Sequence, residues 1–455
     1  MTDPANTRGP TRHLHFYAAT WAGYFVLLWL LPVRYGTLQA GTASLSLLAW
    51  AGGSAVVAYL TYQLFAAAKG PLANPTRSSI GHPLRVFELE RLIWLALGMS
   101  ITGLLCLSYD RLVVQGIDFS QGIAVAREAW RRSGEAREGV SSPFSVLGYL
   151  LGFAFFSATT LAHLHWEFLK RGTRWGVVAI ASVLVAANSL LTGGRSILLI
   201  QLACVAATCG IRAMLGLRMM PGRGARIWFA ATLAFLLSIG YSLYVFSARA
   251  ESGKIPAERY VTSALVFLGG EPTDGYYRLD RLPGSLAATA QFATIGGAYL
   301  THSYGSFESV LESPVTPDTV SFSFVRQLLA KIGIGEAPSE SWLLRGRFLS
   351  LPGSLWYDFG WFGFYAGALI VGALIGLAPR VVSIRGGAGI SLVVVVLILV
   401  TGLTAPLVPA LDILSVPFLV LGFVQVDVLN RLLGGGTNWL FVSRSVRCAE
   451  LKDHA

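Results

Sequence analysis

Charge is what this sequence has least of. Asp, Glu, Lys and Arg make up only 13% of its 455 residues, where soluble domains carry about a quarter. Hydrophobic residues reach 54% and mean hydropathy is +0.60. The chain therefore reads as an all-α polytopic membrane protein, with the bilayer replacing much of a globular core. Cysteine is scarce too. Cys106, Cys204, Cys209 and Cys448 show no paired or metal-like spacing, which argues against a disulfide framework and a zinc site. No Asp-x-Asp pair and no G-x-x-x-x-G-K-[ST] loop occurs, so neither a metal-held nor a loop-cradled nucleotide has support, and no metal or other cofactor is expected. The first apolar run follows "MTDPANTRGPTRHLHFYAAT" without a small-residue cleavage site, which predicts a retained helix and not a signal peptide.

What is present is a series of apolar runs. Ten are long enough to cross about 30 Å of hydrocarbon as helices, near 14–32, 43–67, 91–108, 145–168, 175–191, 196–216, 227–247, 356–378, 388–405 and 409–430. The net charge of +11 does not point to nucleic acid, because the basic residues sit in short segments between these runs, where they encode topology. With the N-terminus inside, the inner segments hold Arg8 and Arg12, then Lys69 to Arg91, Lys170 to Arg174, Arg212 to Arg226, Arg380 and Arg385, and the tail from Arg431. The short outer connections hold only Arg34 in 32–42, only Arg195 in 192–195 and none in 406–408. Residues 1–247 thus carry spans one to seven, with an outer loop at 109–144. Residues 248–355 form a large outer loop, 356–430 carry spans eight to ten, and 431–455 are an inner tail. In the first loop, "AREAWRRSGEARE" has charges at helical spacing and predicts a surface helix. In the second, "SLAATAQFATIGGAYL" (285–300) is apolar but short, and predicts a helix lying on or dipping into the outer interface.

Several charged and aromatic residues gather on the outer side. "LLTGGRSILLI" sets Arg195 at the first turn of span six, where unpaired amides and the helix dipole favour an anion. As readily, Gly193 and Gly194 cap a tight hairpin while Arg195 reaches the headgroups. Arg249 follows span seven. "GGEPTDGYYRLDR" then brings Glu271, Asp274, Tyr276, Tyr277, Arg278, Asp280 and Arg281 together, and Arg345 and Arg347 precede span eight. Such arginines suit a phosphate or diphosphate, whose oxygens the guanidinium fork pairs two at a time. Equally, charges in a nearly neutral loop pair with one another. Tyr276 and Tyr277 could stack on sugar rings, whereas Trp356 and Tyr357 read as an interfacial belt. Glu271, Asp274 and His302 are candidate bases. His163 and His165 read as packing residues, Asp358 as the N-cap of span eight, and the glycines from Gly360 to Gly376 as close helix packing.

The "GGR" turn opening a span, the large late outer loop and the "YDFGWFG" start of the next helix resemble the bacterial oligosaccharide repeat unit polymerases. These are the Wzy-type proteins of O-antigen, capsule and exopolysaccharide synthesis. The resemblance covers roughly residues 190 to 380. It implies a GT-C-like helical fold in the inner membrane with an active site facing the periplasm, to which the charge distribution adds that both termini are cytoplasmic. The implied substrate is an undecaprenyl-pyrophosphate-linked oligosaccharide, polymerised without a metal. Membrane lipids surround such an enzyme, and a chain-length regulator and a flippase are further candidate partners. Arg195 and Arg249 would neutralise the pyrophosphate, supported by Arg278, Arg281 and Arg347. The loop departs from any strict signature, so the resemblance assigns no base. An O-antigen ligase shares the architecture and donor. A lipid or oligosaccharide transporter, or a non-catalytic scaffold, would fit less well, since the span interiors are nearly free of charge and the polar groups gather on one face.

Overall fold

A computed structural model describes residues 11–35, 40–67, 86–120, 140–192, 196–215, 217–220, 257–283, 285–311, 323–331, 333–336, 348–384, 389–409 and 415–432, with isolated positions between 122 and 133 and at 240 and 320. The described chain is almost entirely helical. In order come α1 (Arg12–Leu30), α2 (Ala40–Ala67), α3 (Val86–Tyr109), α4 (Pro143–Leu151), α5 (Phe155–Leu164), α6 (Arg171–Thr192) and α7 (Ser196–Met214). Then follow α8 (Ala257–Phe267), α9 (Asp274–Tyr277), α10 (Ser285–Leu311), α11 (Ser323–Lys331), α12 (Leu351–Ile384), α13 (Gly389–Thr404) and α14 (Ser415–Leu432). Six helical segments are long and apolar enough to cross a membrane: Gly41–Phe65, Phe87–Val114, Pro143–Leu164, Arg171–Leu191, Ser196–Met214 and Leu351–Val382. Helices α1 and α14 occupy two further expected spans. Helix α13 occupies a third with a shorter apolar stretch, Leu392–Thr404. The expected span 227–247 lies outside the described residues, apart from Gly240.

Two clusters of buried apolar side chains hold the bundle. One joins α3, α5, α6, α7, α13 and α14 around Phe153, Phe155, Phe156, Phe418 and Phe423. The other joins α1, α2, α8, α10 and the first half of α12 around Trp21, Trp50, Tyr276, Phe307 and Phe364. Without a hydrophobic drive between helices in lipid, close approach depends on small residues. A Cβ on Gly372 or Gly376 would overlap the carbonyls of Ser54 and Ala58 on α2, and one on Gly103 would overlap the backbone of Gly152. The glycine spacing thus reads correctly as packing at Gly372 and Gly376. Gly363 instead makes room for Phe359 and the Leu355 carbonyl, and Gly367 for the Leu355 side chain, of their own helix.

Three expectations about single helices change. The fourth span is two helices, because residues 152–154 form a turn against α14, where Ser157 Oγ donates to Gly422 O at 3.2 Å. The eighth span starts at Leu351, with Pro352 in its first turn, and breaks at Gly360 (φ 62°, ψ −156°), a conformation open essentially to glycine alone. Asp358 is therefore not an N-cap: it ends the first segment, and its Oδ1 accepts the Val320 N–H at 2.6 Å. That segment packs inside the protein, so Trp356 (8% exposed) and Tyr357 (3%) are core residues and not an interfacial belt. The helix expected over 285–300 runs on to Leu311, 27 residues in all. Its polar second half is buried by other protein segments, which is why hydropathy does not reveal it.

Helix α3 runs into a π-helical turn, Asp110–Val114. Asp110 is fully buried and gathers Ser141 Oγ (2.7 Å), Ser142 Oγ (2.6 Å) and its neighbour Arg111 (3.1 Å). Ser142 also N-caps α4, accepting from Ser145 N, with Pro143 next in line. The base of the 109–144 loop is thereby fastened. The described positions between 125 and 133 are helical, as the charge spacing predicts, and Trp130 there covers the Arg111 guanidinium, 4.8 Å from the ring centre.

Candidate functional site

We call the end of the bundle bearing residues 31–35 and 405–409 its head, and the opposite end its foot. At the head, residues far apart in sequence meet through backbone pairing. Strand β1 (Val33–Tyr35) pairs antiparallel with β2 (Gly270–Pro272), with Arg34 opposite Glu271. Thr273 N donates to Pro32 O at 3.1 Å and extends the join. Gly270 is required there: a Cβ would meet Val33 Cγ1 at 2.5 Å. The join fixes the "GGEPTDGYYRLDR" segment against the first connection, and α9 with a 3-10 turn (Arg278–Arg281) completes it. Gln291 of α10 donates to Asp280, which fastens the far side of the segment.

Beneath this layer runs a seam of buried polar groups on α10. Tyr24 OH and Ser303 Oγ lie 3.0 Å apart, and Ser303 Oγ donates to Pro406 O at 2.8 Å. Tyr35 OH donates to Ala298 O at 3.1 Å and lies 2.8 Å from Thr301 Oγ1. Ser44 Oγ and Tyr304 OH lie 2.9 Å apart. Burial pushes the Tyr35 phenol up to about 12, with Thr301 partly offsetting it. Burial also raises Tyr304; Ser44 works against the rise and the nearby Glu308 carboxylate adds to it. Such a seam specifies one arrangement, since each unmade bond would strand a polar group away from water.

The sequence-predicted site residues divide by exposure. Glu271, Asp274, Tyr277, Arg278, Asp280 and Arg281 are exposed on one short segment. Tyr276 turns inward and is fully buried, its ring edge-on to Tyr277. His302 is 2% exposed: its Nδ1 faces Tyr299 O at 2.6 Å and its Nε2 accepts the Phe348 N–H at 3.1 Å. In this arrangement Nδ1 carries the proton, and neither ring nitrogen is open to an acceptor hydroxyl. Of the three candidate bases, Glu271 and Asp274 present accessible carboxylates. Arg195, Arg249 and Arg347 lie outside the described residues.

Sequence reasoning passes over two residues here. Arg34 reads there only as a loop charge, because three residues are too few to show the alternation of a strand. Glu308, 1% exposed, falls beyond the expected end of the 285–300 helix.

At the foot, His163 and His165 behave as packing residues. His163 Nε2 lies 3.8 Å from Cys209 Sγ, and His165 is 3% exposed. Arg212, fully buried, donates to the carbonyls of His163 (2.9 Å), Leu164 (2.8 Å) and Arg218 (2.7 Å) and to Glu167. It therefore caps the C-terminal end of α5, whose last carbonyls have no partner within the helix. Burial pushes the Glu167 carboxyl up, but the hydrogen bond and charge of Arg212 outweigh this and hold it below the usual carboxylate range.

The fold defines the class: a polytopic, mostly helical membrane protein, with an exposed cluster of charged residues at 271–281 on one end of the bundle. No protein-family model, curated protein or solved structure matches the chain.

Proposed function

We propose that this protein polymerises undecaprenyl-pyrophosphate-linked oligosaccharide repeat units into a surface polysaccharide. The further reading is a GT-C-like, ten-span enzyme of the bacterial inner membrane, with cytoplasmic termini and the head of the bundle facing the periplasm. The observation that carries the reading is the strand pairing that holds residues 270–281 at the head. There, carboxylates, arginines and an exposed tyrosine share one solvent-facing segment above a rigid polar seam. Transfer from a pyrophosphate leaving group needs a base for the acceptor hydroxyl and positive charge for the departing oxygens. Asp274 or Glu271 would take the proton, Arg278 and Arg281 with Arg195, Arg249 and Arg347 would neutralise the pyrophosphate, and Tyr277 would stack on a sugar. His302 would set the shape of the site from beneath.

The test is to incubate the purified full-length protein, in lipid nanodiscs, with a lipid-linked repeat unit. A ladder of products is expected, shortened or lost in Arg195→Ala, Arg249→Ala and the Arg278→Ala/Arg281→Ala pair. Transfer only to a lipid A core acceptor would make the protein a ligase. With neither product, transport or scaffolding would replace the enzymatic reading.

A further inference from the structure

Three soft donors meet at the foot of the bundle. Cys209 Sγ of α7 lies 3.8 Å from His163 Nε2 of α5 and 3.8 Å from Met220 Sδ, in the segment that follows α7. Among the described residues no group of three His, Cys, Asp and Glu side chains could hold a metal ion, but thioether sulfur is also a ligand for soft metals. Metal–nitrogen and metal–sulfur bonds of about 2.0–2.3 Å place the donors of a trigonal site about 3.5–4 Å apart. Both separations fall in that range. The fold holds the donors in place. Arg212, one turn after Cys209, donates to the His163 carbonyl at 2.9 Å and to the Arg218 carbonyl at 2.7 Å. One side chain thus fixes the backbone beside two of the three donors. Leu217 N adds a bond to Arg212 O at 2.8 Å. The His163 ring also hydrogen-bonds the Met219 backbone, as metal-ligating imidazoles commonly do through the nitrogen that does not bind the metal.

Packing alone does not call for these residue types. Leucine replaces methionine at little cost in a core, yet three of the chain's five methionines fall at positions 214, 219 and 220. Cys209 is buried, while His163 and Met220 are half-buried, which leaves an ion a path from the foot. Charge then selects the ion. One thiolate and two neutral donors balance a single positive charge, and a neutral unit suits a buried place. A divalent ion would leave excess positive charge near Arg212, which acts electrostatically on both Cys209 and His163. We infer that Cys209, His163 and Met220 form a binding site for a soft monovalent metal ion, Cu(I) by its chemistry. On binding, the metal gains bonds to the two sulfurs and to Nε2, and the Cys209 thiol proton leaves to solvent. This site is independent of the glycosyl-transfer reading.

The test titrates the reduced full-length protein in nanodiscs with Cu(I), in competition with a chromophoric Cu(I) chelator. Wild type is compared with Cys209→Ser, His163→Gln, Met220→Leu and, as a control, Cys448→Ser. Wild type and Cys448→Ser should each take up one ion, and Cys209→Ser should lose it. Changes outside the ligand set commonly weaken metal binding 10–100-fold, so His163→Gln and Met220→Leu should weaken it about tenfold or more. Met220→Leu keeps the side-chain volume and separates ligation from folding. Without metal it should melt with wild type, and Cu(I) should raise its unfolding temperature less. If the three residues only pack, Met220→Leu will bind Cu(I) as wild type does, and the inference is wrong. Uptake that is lost in Cys448→Ser, or no uptake by wild type, would equally overturn it. Zn(II) held as tightly as Cu(I) would overturn the selection by charge.

Discussion

Replacing Arg212 with methionine tests whether the foot of the bundle is held by a single side chain. Methionine keeps the unbranched stem and its apolar contacts but has no donor. Three carbonyls would lose their partner: His163 O, Leu164 O and Arg218 O, now bonded at 2.9, 2.8 and 2.7 Å. A hydrogen bond to a charged group contributes about 1.5–3 kcal/mol, and breaking a buried ion pair costs about 3–5 kcal/mol. Such terms do not add, and Glu167 is 45% exposed, so water screens its share. We expect Arg212→Met to cost about 3 kcal/mol, chiefly through the stranded carbonyls of α5. At about 2–4 °C per kcal/mol for a large domain, the unfolding temperature should fall by roughly 6–12 °C in detergent micelles. Arg212→Lys should be intermediate, because one ammonium cannot reach the carbonyls and Arg218 O together. Glu167→Gln should cost about 1 kcal/mol or less. An Arg212→Met protein melting within a degree of wild type would refute this account of how α5 ends.

Other predictions follow the same logic. The Glu167 carboxyl is held below its usual value of 4.5, so its contribution is complete above that value and lost as pH falls through the lower folded-state value. The gap in unfolding temperature between wild type and Glu167→Gln should therefore be constant near neutral pH and close as pH falls below the usual carboxylate value of 4.5. A Cβ on Gly360 would meet nothing within 4 Å, but the residue sits at φ 62°, so Gly360→Ala and Gly360→Ser should lose the same amount, about 1–3 kcal/mol. A clearly larger loss for serine would show that space, not backbone, sets the requirement. Gly376→Ala meets the Ala58 carbonyl instead and should cost about 1–3 kcal/mol by overpacking, rising further in Gly376→Val; equal losses in the two would argue against close packing of α2 and α12.

The spans are legible because an apolar run of the right length has few alternatives in a bilayer. Helices α2, α3, α6 and α7 fall where hydropathy puts them. What stays hidden depends on partners distant in sequence. The turn at 152–154 packs against Gly422 of α14, where a Cβ would meet Phe153 O at 2.8 Å, and the burial of Trp356 and Tyr357 follows from the start of α12 tucking inside. Nothing near His302 announces that the Phe348 amide will take its Nε2. The "GGEPTDGYYRLDR" segment is visible as a cluster of chemistry, but not that a three-residue strand behind α1 holds it. Val33–Tyr35 is too short to carry a pattern, and its partner lies in another loop.

The pairing of β1 with β2 also has a consequence in time. The hydroxyl of Tyr35 waits for Ala298 and Thr301, which come 263 and 266 residues later. At ribosomal speeds of about 5–20 residues per second, that wait is on the order of 10–50 s. Through that interval the strand that follows the first helix has no partner. The head of the bundle can close only after residues 270–301 have been made, so a nascent chain stalled before residue 270 would display an open strand edge. Assembly of the head is thus a late checkpoint of biogenesis, at which the first connection and the late loop become a single surface.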